Sequence, residues 1–203
     1  MVGGITNFTN EDSMIKLKSL IKDVRLLREN TNTTQLEVTA NKVADVLNKG
    51  NIPHFIVGGY AIQHYGYARL TNDIDIVVPN RIDAIDYLTI RGFKEVRGNK
   101  MKIVDTTNKV EVDVLEGGEK LSSNSNIPLP TPTKLTDIPN ILDIVNLINI
   151  KLDSYSTSTN RLQDGGDIGK LINIHNLPLN LYKKLNPLIK PIYTKLWHDY
   201  TTK

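Results

Sequence analysis

Two aspartates separated by one residue form the most chemically informative pattern in the sequence. Asp73 and Asp75 lie in a β-branched run that ends at Val78. Because side chains alternate between the faces of a strand, both carboxylates share one face and Ile74 lies on the other. Carboxylates are ligands that Mg²⁺ prefers and commonly shares with substrate phosphates. The spacing predicts a Mg²⁺ (or Mn²⁺) site, although an isolated Asp-x-Asp is more often surface charge on an edge strand.

A pair of glycines precedes these aspartates. Gly58 and Gly59 follow the short apolar run of residues 54–57, and a helix can begin directly after them. Glycine lets a backbone approach a ligand closely, with its amide donors exposed. We expect this turn to approach the phosphates of a substrate closely. A simple turn is the more common role of such a pair.

A third carboxylate lies on the last predicted strand, residues 109–115. Asp113 shares a face of that strand with Glu111, while Val110, Val112 and Val114 point to the other face. If this strand lies beside the strand of Asp73 and Asp75, Asp113 can complete the metal site or deprotonate an attacking hydroxyl. The sequence leaves both the adjacency and that choice open, and Asp113 taken alone would be solvent-facing.

The predicted elements around these residues are short strands and amphipathic helices. Alternation and turn residues predict strands over residues 54–57, 73–78, 93–97, 100–104 and 109–115, with a hairpin turn at Gly98 and Asn99. Apolar spacing predicts helices over residues 11–27, 36–47, 138–152, 162–174 and 181–200. Asn80 is expected to cap another helix, Gly50 to end the second, and Pro187 or Pro191 to break the last.

These elements predict an α/β (α+β) fold, in which a small mixed sheet is flanked by helices on both sides. We expect an N-terminal helical segment over residues 1–50, a core over 51–116, an exposed linker loop over 117–133 and a C-terminal helical region over 134–203. The loop is predicted from its glycines, prolines and Ser/Asn cluster.

The composition excludes several classes of protein. The chain has 203 residues, 39% of them hydrophobic, and no cysteine, which excludes disulfides and Cys-ligated zinc. It has neither a signal-peptide pattern nor the roughly 18 apolar residues of a membrane span, so a cytoplasmic protein is expected. A net charge of +3 suits a nucleotide or RNA partner but decides nothing. A zinc site of His54 and His64 is disfavoured.

The glycine and aspartate motifs together resemble a known family. Residues 57–62 read Val-Gly-Gly-Tyr-Ala-Ile, and residues 69–76 read Arg-Leu-Thr-Asn-Asp-Ile-Asp-Ile. This pattern is similar to the signature of the DNA polymerase β-type nucleotidyltransferase superfamily, and more narrowly to minimal nucleotidyltransferases of the AbiEii-like toxin group. The resemblance implies that Asp73, Asp75 and Asp113 hold the metal and act in catalysis. It also implies that Gly58 and Gly59 fix the phosphates.

Two further parts of the chain belong to this resemblance. Arg69 and Thr71 are in the motif and imply nucleotide binding, although Arg69 can equally form a salt bridge with an aspartate. Lys151, followed by residues 161–168 (Arg-Leu-Gln-Asp-Gly-Gly-Asp-Ile), resembles the later motifs of AbiEii-like proteins. By that match Lys151 contacts the phosphates, Asp164 closes the site and Asp167 is a cap or structural partner. Gly165 and Gly166 are unusual at a helix start.

The implied activity is transfer of a nucleoside monophosphate from a nucleoside triphosphate to a tRNA, a protein or a small hydroxylated molecule, with release of pyrophosphate. One alternative is a catalytically inactive nucleotidyltransferase fold that acts as a binding or regulatory module. A second is an RNA-binding protein that uses the basic and aromatic residues 182–198. An amphipathic helix with its rings on the core is the favoured reading of that segment. The sequence does not indicate an oligomeric state.

Overall fold

The computed structural model describes residues 35–136 and 140–202. The strands are β1 (Phe55–Val57), β2 (Asp73–Val78), β3 (Phe93–Val96), β4 (Asn99–Asp105) and β5 (Glu111–Glu116). The α-helices are α1 (residues 35–49), α2 (Gly58–His64), α3 (Arg81–Thr89), α4 (Ile144–Thr157), α5 (Leu162–Ile174) and α6 (Lys190–Thr201). Short 3₁₀ helices cover Thr159–Arg161, Leu179–Lys184 and Pro187–Ile189. The helix predicted over residues 11–27 lies outside the described residues.

The five strands form one mixed sheet in the order β1-β2-β5-β4-β3. β2 and β5 run parallel, and the other neighbouring pairs are antiparallel. The predicted α/β (α+β) class with a small mixed sheet is therefore confirmed. β5 lies between β2 and β4, which brings together two strands that are separated along the chain by α3 and the β3–β4 hairpin.

Helices cover both faces of this sheet, and each face has its own hydrophobic core. The first core packs α1 and α3 against side chains of the sheet such as Ile74, Ile76 and Val112. The second core lies on the opposite face, where Val77 packs with residues of α2, α4, α5 and α6. Because alternate side chains of β2 enter different cores, the register of this strand is strongly fixed.

Local signals explain several element boundaries. Asn80 caps α3 as predicted, since its side-chain oxygen accepts hydrogen bonds from the backbone amides of Ile82 and Asp83. The residue with positive φ after α1 is Asn51, with φ 54°, rather than the predicted Gly50. Gly50 is needed for another reason, because a Cβ there would lie 2.7 Å from the ring of Tyr87.

Two of the predicted C-terminal helices begin later than expected. α4 starts at Ile144, where the Asp143 carboxylate caps its first amides, and not near residue 138. The preceding residues lie beside β1 instead, since the Ile56 amide donates to the carbonyl of Asn140 and the Leu142 amide donates to Ile56. The helix predicted over residues 181–200 is two short 3₁₀ helices followed by α6. The break predicted near Pro187 is thus confirmed.

Residues 117–133 contain neither helix nor strand, but the prediction of an exposed loop is wrong for part of this segment. Ser125, Ile127 and Leu129 are buried, and the two apolar residues belong to the second core. The carboxylate of Asp153 on α4 accepts hydrogen bonds from the backbone amides of Asn126 and Ile127. The segment therefore packs against the C-terminal helices. Over residues 35–136 and 140–202, no helix has the length and apolarity needed to cross a membrane.

Candidate active site

Four carboxylates form two neighbouring rows on one face of the sheet. In the parallel pairing of β2 and β5, Asp73 lies opposite Glu111 and Asp75 lies opposite Asp113. Residues paired in register point to the same face of the sheet. The strand of Asp113 therefore does lie beside the strand of Asp73 and Asp75, which the sequence alone left open. The intervening Ile74 points to the first core, where it is fully buried.

Asp75 is the most strongly perturbed member of this group. The pKa of its carboxyl is raised from the ordinary 3.8 to about 6, mainly by burial and also by the negative charges of Asp73 and Asp113. Lys151 and Arg161 act in the opposite direction. Among the described residues, no donor forms a hydrogen bond with the Asp75 carboxylate. This group is therefore a partly desolvated anion that lacks a dedicated donor.

The outer carboxylates have partners of their own. The hydroxyl of Thr71 donates to Asp73 Oδ1 over 2.9 Å. Lys102 Nζ on β4 lies 2.7 Å from Glu111 Oε2 and 3.4 Å from Asp113 Oδ1. Burial raises the pKa of Asp113, the charge of Lys102 opposes that rise, and Asp73 and Glu111 reinforce it. Thr71 and Lys102 thus orient the acids on either side of Asp75.

The glycine turn lies directly against these acids. Gly58 begins α2 immediately after β1 and has φ +66°, and a Cβ on it would overlap the carboxylate of Asp75. A Cβ on Gly59 would overlap the guanidinium of Arg69 and lie 2.6 Å from the Thr71 hydroxyl. Both positions therefore require glycine, the first for its conformation and its space and the second for its space.

A buried ion network approaches the acids from the C-terminal helices. Lys151 Nζ on α4 donates to Asp164 Oδ1 over 2.7 Å and to Asp167 Oδ2 over 2.9 Å on α5. Arg69 Nε lies 3.3 Å from the same Asp167 oxygen. Lys151, Asp164 and Asp167 are all buried. Since the charge of Lys151 also acts on Asp75, the network places a cation near the acidic face.

The packing of α5 explains the two glycines at its start. A Cβ on Gly165 would lie 2.8 Å from the ring of Tyr155, whereas a Cβ on Gly166 would meet nothing within 4 Å. Gly165 lets α4 approach α5 closely enough for Lys151 to reach both aspartates. The structure gives no reason for glycine at position 166.

The structure therefore brings together all of the residues that the sequence nominated, in two connected groups. The acids, the glycines and Thr71 form the first, and Arg69, Lys151 and Asp164 form the second. Sequence reasoning missed Lys102, because its position depends on strand pairing, and it gave no role to Arg161, whose charge acts on Asp75. The basic residue of the Arg-x-x-Asp segment was the available signal for Arg161.

Within residues 35–136 and 140–202, no three His, Asp or Glu side chains form a ready-made metal-ligand group. The residues nonetheless fit a divalent cation of the magnesium type, which is usually held by one or two carboxylates and by substrate phosphates. Besides burial, the charges of Asp73 and Asp113 raise the pKa of Asp75, and a bound cation would relieve this local excess of negative charge. His54 is buried and its Nδ1 lies 3.3 Å from the Ile52 carbonyl, which supports a structural role.

The aromatic side chains of the C-terminal tail face the protein interior. Tyr193 is fully buried, and Trp197 Nε1 donates to the carbonyl of Leu177. The favoured prediction of an amphipathic helix with its rings on the core is confirmed for these residues. The ring of Tyr193 is therefore not available to stack on bases.

Comparisons with known proteins give similarity only at the level of solved structures. No family model matches the chain, and no curated protein does. The antibiotic-resistance factor ANT(2'')-Ia matches with 13% identity and a TM-score of 0.49, covering 86% of this chain and 100% of that one. A tRNA nucleotidyltransferase, solved with a primer tRNA and an incoming ATP analog, matches with 13% identity and a TM-score of 0.30, covering 79% and 62%. At this identity neither match assigns an activity to the chain.

Proposed function

We propose that this protein is a metal-dependent nucleotidyltransferase, which transfers a nucleoside monophosphate from a nucleoside triphosphate to an acceptor hydroxyl. The observation that carries the proposal is the parallel pairing that sets Asp75 beside Asp113, with Gly58 so close to the Asp75 carboxylate that a Cβ on it would overlap that group. Two acids, a close glycine backbone and a nearby lysine supply the charge and positioning that phosphoryl chemistry requires.

Asp73 and Asp75 are the residues that would hold Mg²⁺ or Mn²⁺, and Asp113 is close enough in register to contribute. When bound, the cation supplies positive charge to the phosphates. Gly58 and Gly59 would offer backbone donors to the phosphates, since the absence of a Cβ lets their backbone lie directly beside the Asp75 carboxylate and the Arg69 guanidinium. Thr71 holds Asp73 through its hydroxyl, which favours the orientation of that carboxylate.

In the reaction the acceptor oxygen forms a bond to the α-phosphorus, and the bond from that phosphorus to the pyrophosphate oxygen breaks. The hydroxyl proton must leave the acceptor as this happens. We assign it to Asp113, which lies at the edge of the acidic pair and is partly exposed. Since carboxylates are effective bases only when ionised, the charge of Lys102 supports this role by opposing the rise in the pKa of Asp113.

Lys151 would contact the phosphates while it remains in its ion network. An ammonium group has three N–H donors, and Asp164 and Asp167 use two of them. The third donor is left for a phosphate oxygen, so Asp164 and Asp167 act as positioning residues for Lys151. Arg69 is held by Asp167 and its guanidinium lies over Gly59, which favours a contact with the same phosphates.

We further propose the narrower AbiEii-like assignment. It is supported by the joint use of Lys151 and Asp164, which that group's motifs place on successive helices. It also accounts for the position of Asp167, whose carboxylate links Lys151 to Arg69. The acceptor class is left to experiment, with a tRNA, a protein and a small hydroxylated molecule as the alternatives.

The test incubates the wild type and Asp73→Asn with each labelled nucleoside triphosphate, Mg²⁺ and a cell extract. We expect label on one acceptor class and an equal release of pyrophosphate with the wild type, and neither with the variant. Digestion of the product with ribonuclease or protease identifies the acceptor. Equal labelling by both proteins would refute the proposal.

The same experiment separates the two alternatives. An inactive binding module would release no pyrophosphate with any acceptor, and its nucleotide binding would not depend on Mg²⁺. A plain RNA-binding protein would bind RNA with a steep dependence on salt and would be indifferent to Asp73→Asn. The burial of Tyr193 argues against that second alternative.

A further inference from the structure

A lysine extends the row of acids across a third strand. Lys102 on β4 lies opposite Asp113 on β5, and Asp113 lies opposite Asp75 on β2. The three side chains therefore share one face of the sheet and form a line from the Lys102 ammonium group, through Asp113, to the Asp75 carboxylate.

The contacts of Lys102 are those of a counter-ion to this acidic site. Its ammonium lies between Glu111 and Asp113, at 2.7 and 3.4 Å. Among residues 35–136 and 140–202, Lys102 provides the cation within salt-bridge distance of Asp113, and its charge has the largest effect opposing the rise in the pKa of Asp113.

A contribution to stability is a weak explanation for this arrangement. The Glu111 side chain is 48% exposed, and Lys102 keeps 20% of its own surface in water. Ion pairs at such positions contribute about 0–1 kcal/mol. The longer contact with Asp113 adds little more, so the pair is better explained by what it does to the charge of the site.

We propose that Lys102 is an internal cation that competes with the divalent metal for the Asp113 carboxylate and weakens binding of the bare ion. This inference rests on the proposed function, because it assumes that the acids beside Lys102 are the metal site. A fixed positive charge repels a bare divalent cation, whereas it attracts the negatively charged complex of that cation with a triphosphate. Lys102 thereby favours entry of the metal together with the nucleotide.

The experiment measures binding of Mn²⁺ alone, from the paramagnetic signal of the free ion, at pH 8, which is well above the pKa of about 6 of Asp75. Lys102→Met and Lys102→Gln remove the charge, and Lys102→Arg retains it. Lys100→Met is the matched control, because Lys100 is exposed on the same face of β4 two residues away. Asp75→Asn reports whether the acids hold the ion at all. Circular dichroism checks that each variant is folded, and the use of two neutral variants guards against one that is not.

We expect both neutral variants to bind bare Mn²⁺ about tenfold more tightly, the order expected for a unit charge a few ångströms from a divalent ion in mostly aqueous surroundings. Lys102→Arg and Lys100→Met should match the wild type. Binding of Mn²⁺ with a non-hydrolysable triphosphate should not tighten in the neutral variants. A merely structural Lys102 would instead give unchanged or weaker binding in both cases.

The two levels of the proposal fail in different ways. Unchanged Mn²⁺ affinity in the neutral variants, with binding lost in Asp75→Asn, overturns the role of Lys102 and leaves the metal site in place. Unchanged Mn²⁺ binding in Asp75→Asn overturns the metal site itself and the proposed function with it. Equal tightening of the bare ion and of the nucleotide complex overturns the preference for joint entry.

Discussion

Two carboxylates in the same sheet have opposite electrostatic environments. Asp105, at the end of β4, is fully buried and accepts hydrogen bonds from Lys42, Thr39, Asn108 and the backbone amide of Thr107. Burial by itself would raise the pKa of Asp105, but the hydrogen bond from Lys42, the Thr107 amide, the charge of Lys42 and the Thr39 hydroxyl together hold it below its usual range. Through these hydrogen bonds, Asp105 connects α1 to the turn between β4 and β5.

Asp75 has the opposite character although it is less buried. Its nearest charged neighbours on the sheet are Asp73 and Asp113, and the pKa of Asp75 is raised to about 6. Burial therefore does not distinguish the structural acid Asp105 from Asp75, the acid that we propose to be functional. The difference is whether the described residues supply hydrogen-bond donors, as they do at Asp105 and not at Asp75, and this difference supports the metal-binding role that we propose for Asp75.

The largest expected effect concerns activity. Asp75→Asn should lower nucleotidyl transfer about 10³-fold or more, because it removes the central negative charge that would hold the metal. Asp86→Asn, at an exposed position of α3, is the control and should retain full activity. Initial rates of label transfer measure both. A transfer rate of Asp75→Asn within tenfold of the wild-type rate would contradict the proposed role of Asp75 in holding the metal.

The second prediction concerns Asp105, whose substitution should lower stability without lowering the activity of the folded protein. Asp105→Ala should lower the free energy of unfolding by about 3 kcal/mol, because buried donors lose their acceptor. Asp45→Ala, which breaks the exposed pair with Lys49, should cost about 0.5 kcal/mol or less. Urea denaturation measures both changes. Folded Asp105→Ala should still transfer label. A large loss of activity per folded molecule would contradict a purely structural role for Asp105.

The glycine turn links stability to the acidic site. Gly58→Ala should cost about 2 kcal/mol, since it adds an overlap with Asp75 to the strain of a positive φ. Gly98→Ala is the matched control, with φ +82° but nothing within 4 Å of a new Cβ, and should cost about 1 kcal/mol. Thermal unfolding compares the two variants. Equal costs would show that Asp75 moves aside easily.

The smallest effect is a gain in stability. Folding raises the pKa of Asp75 from 3.8 to about 6, so between these pH values the folded state keeps a proton that the unfolded chain has lost. Wild-type stability therefore falls as pH rises through this window. Asp75→Asn should be more stable by about 1–2 kcal/mol at pH 7.5, after allowance for the partial exposure of Asp75, and equal near pH 3.5.

This gain can be checked by urea denaturation at both pH values. Mg²⁺ should narrow the difference at pH 7.5, because it binds and stabilises only the folded wild type. If Asp75→Asn were less stable than the wild type at pH 7.5, the claim that the negative charge of Asp75 destabilises the folded protein would be wrong.

The sequence predicts the parts of this site that depend on local pattern. Strand alternation placed Asp73 and Asp75 on one face, and the β-branched run located β2 within the chain. The pairing of β2 with β5 could not be predicted, because it depends on which strand enters the middle of the sheet and not on local sequence. For the same reason Lys102, which reaches Asp113 only through strand pairing, carried no signal.

The irregular segments show the complementary limit. Glycine, proline and serine content indicated a loop over residues 117–133, and the chain there is indeed irregular. Composition does not reveal that Asp153 accepts hydrogen bonds from two amides of that loop, because this contact depends on tertiary packing. The late start of α4 has a similar cause, since residues beside β1 are used for sheet-like hydrogen bonds before Asp143 caps the helix.

The strand order determines when, during folding, the acidic residues of β2 and β5 come together. The β3–β4 hairpin and the individual helices need only local contacts, and such contacts form early in folding. The parallel meeting of β2 and β5 spans α3 and that hairpin, and it brings like charges together. A nascent or partly folded chain can therefore hold most of its secondary structure while its paired acids are still apart. Under the proposed function, binding of a divalent ion would therefore report that β2 has paired with β5.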